Sequence, residues 1–252
     1  MREPRFKICV PAYNALPWLE RCLSSIEEQT YTNYELLVID DASVDPRQRE
    51  VIETICSRNG WGFRFNPVNV GPLVNVINGF RALNCVDSDV LLPIDGDDWL
   101  FSKDSLAYLA EVYKREAPLL TYGQAVHYSA GVLQAKAYRP WTVWLKRYRK
   151  RPFVLQHLRS FRYLLWRNIL DRDLRDTKGN YFVTAGDAAF MYPMLEMAGS
   201  RFKFIKRVLY VYNDLNPISD IRIKRTSQDE NAMLIRSRPP YKSLVLDQSE
   251  LF

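Results

Sequence analysis

The run Val90-Leu91-Leu92-Pro93-Ile94 leads without a break into Asp95-Gly96-Asp97-Asp98. No other feature restricts the chain as much. A short apolar run of this kind reads as a strand buried on both faces, and it delivers three carboxylates within four positions. Crowded carboxylates repel one another, so such a cluster is normally placed to receive a cation. Hard oxygen ligands suit Mg2+ or Mn2+, ions that keep coordination positions open for phosphate oxygens. Gly96 allows the backbone to turn closely. The plainer reading is a solvated turn with a helix cap, since Asp is common in both. Such a turn needs no apolar strand aimed into it.

Two further apolar runs end in the same manner. Phe6–Val10 reads as a strand ended by Pro11, and Glu35–Ile39 as a strand ended by Asp40 and Asp41. Apolar residues at helical spacing predict helices over 16–29, 47–58, 71–83 and 104–114, with short strands at Phe63–Phe65 and Leu119–Tyr122. Strands alternating with helices imply βαβ units and a mainly parallel sheet, whose ligands bind beyond the carboxyl ends of the strands. Three polar turns fall there: Pro11–Asn14, Asp40–Asp45 and Asp95–Asp98. They are distant in sequence, and this fold would gather them on one edge.

The chain has no G-x-G-x-x-G and no Walker loop. Phosphate charge would therefore be met by metal, in agreement with the acidic cluster. A carboxylate at Asp40 or Asp41 could accept hydrogen bonds from a base or ribose; the plainer reading is an Asx turn or N-cap. Tyr13 could stack on a base or simply pack at an edge. The four cysteines show no C-x-x-C spacing and read as free thiols of a reducing compartment. The opening MREPRFKICV has no h-region, and no apolar run reaches about 18 residues. The expectation is a cytoplasmic protein, with association at the cytoplasmic face of a membrane left open.

The second half is less regular. Residues 138–170 interleave aromatic and basic side chains. Residues 184–199 open with the turn TAGD and continue as a helix, and Val208–Tyr212 reads as a strand. The net charge of +6 suits a protein that meets anions without choosing among them. The stretch WLKRYRKRPF, residues 144–153, reads as a solvated surface, as a contact with anionic lipid or a lipid-linked acceptor, or as a nucleic-acid site. No nucleic-acid module accompanies it, so no nucleic-acid partner is expected. The organisation reads as one domain over 1–220, with halves at 1–125 and 126–220. A polar tail follows at 221–252.

The succession VPAYN, VIDDASVD and DGDD resembles the inverting family 2 glycosyltransferases of the GT-A fold, well over residues 6–125 and more weakly to about residue 220. The resemblance implies an α/β GT-A catalytic domain over 1–220 with a mainly parallel central sheet flanked by helices, residues 1–125 being the nucleotide-sugar-binding half and 126–220 the acceptor-side half. It implies metal-dependent transfer of a sugar from a nucleotide-diphosphate sugar, UDP-linked by expectation, to an acceptor hydroxyl with inversion. The acceptor would be a glycan, a lipid-linked molecule or a protein. Pro11, Tyr13 and Asn14 would belong to the nucleotide-sugar site, with Asp41 on the base and Asp95 and Asp97 on the ribose side. Asp97 and Asp98 would hold Mn2+ or Mg2+. Asp187 would be the catalytic base; the plainer reading is a cap for the helix it opens. Family members often carry Glu-Asp at this point, where this chain has Gly186-Asp187.

The late segment LYVYNDLNPISD also resembles the family, but Asn213 and Asp214 stand where many members have a metal- or diphosphate-touching His. His157 and Arg159 could face the acceptor or a phosphate, or lie on a helix surface. His127 reads as structural. Two alternatives compete. A sugar-phosphate nucleotidyltransferase should carry a glycine-rich basic loop after the first strand, and PAYNALPW offers none. A catalytically inactive nucleotide-sugar-binding protein would bind donor without transfer.

Overall fold

The structure, a computed structural model, describes residues 3–133, 135–217 and 225–245. Residues 218–224 and 246–252, which include parts of the late motif and of the 221–252 stretch, lie outside the described residues.

The apolar runs form the strands β1 (Phe6–Ala12), β2 (Tyr34–Asp40), β3 (Gly62–Phe65) and β4 (Val90–Pro93). They pair in parallel in the order β3-β2-β1-β4. Between them run helices α1 (Leu16–Glu27), α2 (Arg47–Asn59) and α3 (Pro72–Ala82). After the acidic turn come β5 (Trp99–Leu100), helix α4 (Ser105–Glu116) and β6 (Leu120–His127). The sheet continues through β7 (Ser160–Arg162), antiparallel to both β4 and β6, to β8 (Phe202–Tyr212), parallel to β6, and closes on β5. Short helices α5 (Pro140–Trp144) and α6 (Tyr163–Trp166) precede α7 (Gly186–Ala198) and α8 (Arg225–Ser237).

The two-residue side-chain period of the strands sorts the core into two layers. Phe6, Ile8 and Val10 of β1 point with Leu36, Val38 and Leu92 toward α1, α2 and α4. Cys9, Leu37, Ile39 and Leu91 point the other way, toward α3 and α7. Strands covered on both faces explain why these runs are continuously apolar.

Two elements depart from the sequence reading. Strand β8 begins six residues before Val208, because Lys203, Lys206 and Arg207 interrupt the apolar pattern and the pairing with β6 is irregular near Gln124. The polar stretch after residue 221 contains α8, whose Ile235 is buried against the α7 layer. One apolar face on an otherwise polar helix is a weak signal in a sequence.

Gly79 sets how closely α3 approaches the sheet. A Cβ there would lie well inside van der Waals contact with the Cys9 sulfur, and 3.3 Å from Ile39 Cδ1. In a free helix Gly→Ala gains about 1 kcal/mol. Here overpacking should win, so Gly79→Ala is expected to destabilise the chain by about 1–3 kcal/mol in urea denaturation. Part of that loss should return in the double variant with Cys9→Ala.

Candidate active site

The three polar turns meet at the end of β1. The Gly96 amide donates to the Pro11 carbonyl at 3.0 Å on one side, and the Asp41 amide donates to the Ala12 carbonyl at 2.8 Å on the other. A Cβ on Gly96 would fall 2.8 Å from the Ala12 Cβ, so only glycine lets the acidic turn sit this close. Asn14, in the left-handed region at φ 48°, joins the first two turns. Its amide donates to Ser43 Oγ at 2.9 Å, and its Oδ1 accepts from the Val44 amide at 2.9 Å. Pro11 is buried, while the Tyr13 ring is 42% exposed beside this junction.

Asp40 and Asp41 are both buried and serve different ends. Asp40 Oδ1 accepts from Gln48 Nε2 at 2.6 Å, and its Oδ2 from the Ser43 amide at 3.2 Å. Gln48, fully buried on α2, also donates to Ser43 Oγ and accepts from the Ala15 amide at 2.7 Å. Asp41 faces the start of α3. It accepts from the Val70 amide at 2.9 Å, the Gly71 amide at 2.8 Å and Asn66 Nδ2 at 2.8 Å. Gln48, Asn66 and these amides give no periodic signal, so the sequence reading passed over them.

The acidic turn divides its carboxylates. Asp98 is 1% exposed; its Oδ1 accepts from the Asn213 amide at 2.7 Å, and its Oδ2 is buried with no hydrogen-bond partner. His157 lies 3.9 Å from both Asp98 Oδ2 and Asp95 Oδ2. The ligand atoms of Asp95, Asp98 and His157 all fall within 4.8 Å of one another. Asp97, read with Asp98 as a ligand, stands outside this trio and accepts from Asn216 Nδ2 at 2.7 Å. Burial first, and then the Asp97 and Asp95 charges, push the Asp98 carboxyl well above its usual range. Burial and the neighbouring Arg159 push His157 well below its usual range, which leaves a neutral imidazole able to ligate. An orphaned buried oxygen beside a neutral His and a second carboxylate is a donor set that fits a divalent cation.

Neither His157 nor Arg159 lies on a helix surface. They are 6% and 7% exposed, on the segment leading into β7. His157 packs on the Tyr210 ring at 4.6 Å. Arg159 donates from Nε to the Leu155 carbonyl at 2.7 Å and from Nη2 to Asp187 Oδ2 at 2.7 Å. The segment thus joins the acidic trio to the carboxylate that opens α7. Gly186 has a steric reason to be glycine: a Cβ there would lie 3.0 Å from the Leu73 Cβ on α3. Asp214 turns away from the trio toward Ser129 and His127.

Comparison with known proteins agrees with this architecture. The family model for glycosyl transferase family 2 matches residues 7–174, and the chain belongs to that family. The uncharacterized glycosyltransferase EpsJ of Bacillus subtilis (strain 168) is 24% identical over 225 residues, 86% of this chain and 62% of its own length. The chain spans from 15% to 62% of the length of the curated relatives it matches. TarS 1-349 of S. aureus superposes with a TM-score of 0.68 at 19% identity, over 92% of this chain and 64% of that one. TarS has also been solved with UDP-GlcNAc. The mannosyltransferase PcManGT of Pyrobaculum calidifontis, solved with GDP-Man and Mn2+, superposes at 0.64 with 17% identity, over 96% of this chain and 66% of that one. The shared architecture is the GT-A fold.

Gln48 tests the stitching of the first two turns. Gln48→Ala leaves the buried Asp40 carboxylate and the Ala15 amide short of partners. The expected cost is about 2–3 kcal/mol in urea denaturation with an unchanged slope.

Proposed function

We propose that this chain transfers a sugar from a nucleotide-diphosphate sugar to an acceptor hydroxyl, with inversion at the anomeric carbon. One observation carries the reading. His157 and Arg159, two residues apart, tie the carboxylates of the acidic turn to Asp187. A donor diphosphate beside the acidic turn would bring its anomeric carbon toward Asp187.

In this reading Pro11, Tyr13, Asn14 and Asp41 surround the nucleotide, and Asp95 and Asp97 reach its ribose side. UDP is the proposed nucleotide, supported by the TarS complex with UDP-GlcNAc; PcManGT shows that the fold also admits GDP. Asp98, Asp95 and His157 would hold a divalent cation, Mn2+ or Mg2+, with Asp97 beside them, and the cation would offset charge on the departing diphosphate. The Asp187 carboxylate takes the proton of the acceptor hydroxyl as its oxygen bonds to the anomeric carbon. The bond to the diphosphate breaks on the opposite side, and the diphosphate leaves with the electron pair. Arg159 fixes the carboxylate for this step. The acceptor would be a glycan, a lipid-linked molecule or a protein. Four free cysteines support a reducing, cytoplasmic setting.

The cation can be tested through pH. With its carboxyl pushed above the usual range, Asp98 holds a proton in the native state that the unfolded chain releases. Its stabilising contribution is fully present below the unfolded pKa and is lost as pH rises through the raised value. A cation at Asp98 must displace that proton, so binding strengthens as pH rises. The gain in Tm on adding Mn2+ should be larger near pH 8 than near pH 5, and Asp98→Asn should abolish the difference. A gain that is equal at both pH values would remove Asp98 from the cation site.

Asp187→Asn keeps the size of the side chain but cannot take the proton. Transfer should fall by about 10²–10⁴-fold, while calorimetric titration still shows donor binding. The product of the parent chain should have the opposite anomeric configuration to the donor. Near-normal turnover in Asp187→Asn, or retained configuration, would overturn this mechanism.

A further inference from the structure

Residues 117–170 contain no Asp or Glu and ten Lys or Arg. The structure sorts these cations. Arg159 and Arg162 are buried, Arg149 is bound to Glu196, Arg167 pairs with Asp87, and the Arg151 guanidinium lies 4.1 Å from the centroid of the Trp141 ring. The five that remain, Lys136, Arg139, Lys146, Arg147 and Lys150, are all exposed. None of them makes an ion pair among the described residues. Beside them α5 projects Trp144, 81% exposed, with Leu145 and Trp141 at 40% and 39%. A large aromatic ring held in water at the centre of unpaired cations is costly unless something covers it.

We propose that this face, α5 and the turn after it, docks the protein on an anionic lipid bilayer. The chemistry on the page selects that partner. Indole rings settle at the boundary between headgroups and acyl chains. Lys and Arg at the same level meet the negative surface potential. The surrounding acid-free stretch removes the repulsion that would oppose such contact. Tyr148, between Arg147 and Lys150, is buried and anchors the turn to the core.

The face is a docking surface and not an acceptor subsite. Arg149 binds Glu196 near the end of α7, nine residues beyond Asp187. That is about 13 Å along the helix axis. The proposal therefore stands apart from sugar transfer and can fail or hold independently of it.

Flotation of the full chain with phosphatidylcholine vesicles, with and without phosphatidylglycerol, tests it. The expected result is binding to the anionic vesicles alone, weakened by salt, with a blue shift of tryptophan emission. Trp144→Ala should lower the partition coefficient without moving Tm. Arg147→Gln with Lys150→Gln should lower it about 25-fold, at about fivefold for each charge. Donor binding should be unchanged in both variants, which keeps this test separate from the reaction. Equal partitioning onto both kinds of vesicle, or none onto either, would overturn the proposal. So would binding that RNA or duplex DNA competes away, which would assign the face to nucleic acid.

Discussion

The arrangement depends on the last two carbonyls of β1. Pro11 gives its oxygen to Gly96 and Ala12 gives its oxygen to Asp41, one on each side of the strand. Parallel neighbours end at the same level, so an amide just past the end of each can reach the central strand. These two bonds place the acidic turn and the Asp40–Asp41 turn on either side of the same strand end. Remove either bond, and the carboxylates belong to unrelated loops. The missing Cβ of Gly96 is the other half of the constraint, since the turn could not approach β1 with a methyl group between them.

Aspartate fills several of these positions, and its surroundings separate the roles. Asp40 and Asp41 are buried but served on both oxygens by amides and side-chain donors of the chain itself. Carboxylates satisfied in this way hold loops together, and Asp41 does so at the edge of the proposed nucleotide site. Asp98 is equally buried, yet its Oδ2 has no hydrogen-bond partner of ordinary geometry, and the groups around it are the Asp95 and Asp97 carboxylates, the neutral His157 imidazole and the Tyr210 hydroxyl. Burying a carboxylate oxygen unpaired is among the more costly arrangements available to a folded chain. A site that bears this cost gains by it only if a positive group arrives.

Strand positions and the gathering of the three turns were legible because strands buried on both faces are continuously apolar, and each such run ended in polar residues. The carboxylates were legible for the same reason. The partners that decide their roles were not. Gln48 lies on the buried face of α2, where only its donors and acceptors distinguish it from an apolar residue. Asn213 acts through its backbone amide, which no side-chain pattern can report. His157 was visible as a polar residue among aromatics, but its place against the acidic turn depends on β7 pairing with β4. That antiparallel contact joins distant segments and has no local signature. Helix α8 escaped notice because a single buried Ile235 does not make a period.

Helix α7 shows how the fold combines firmness with access. Each end carries an arginine–carboxylate pair, and the two differ in burial. Glu196, 2% exposed, accepts from Arg149 Nε at 2.6 Å and Nη2 at 2.8 Å, and from the Tyr241 amide at 2.9 Å. A carboxylate near a helix C-terminus is opposed by the helix dipole, so these donors offset two unfavourable terms, burial and dipole. At the other end the dipole favours Asp187, and Arg159 together with the Ala188 amide at 2.8 Å suffices, with 35% of the Asp187 side chain still open to solvent. The arginine of this pair is buried, so the carboxylate keeps its orientation while one side of it stays open to water. The far end therefore fixes the axis of the helix, and the near end leaves one carboxylate oriented but reachable. The role proposed for Asp187 needs that asymmetry, because burial as complete as that of Glu196 would close it to any acceptor.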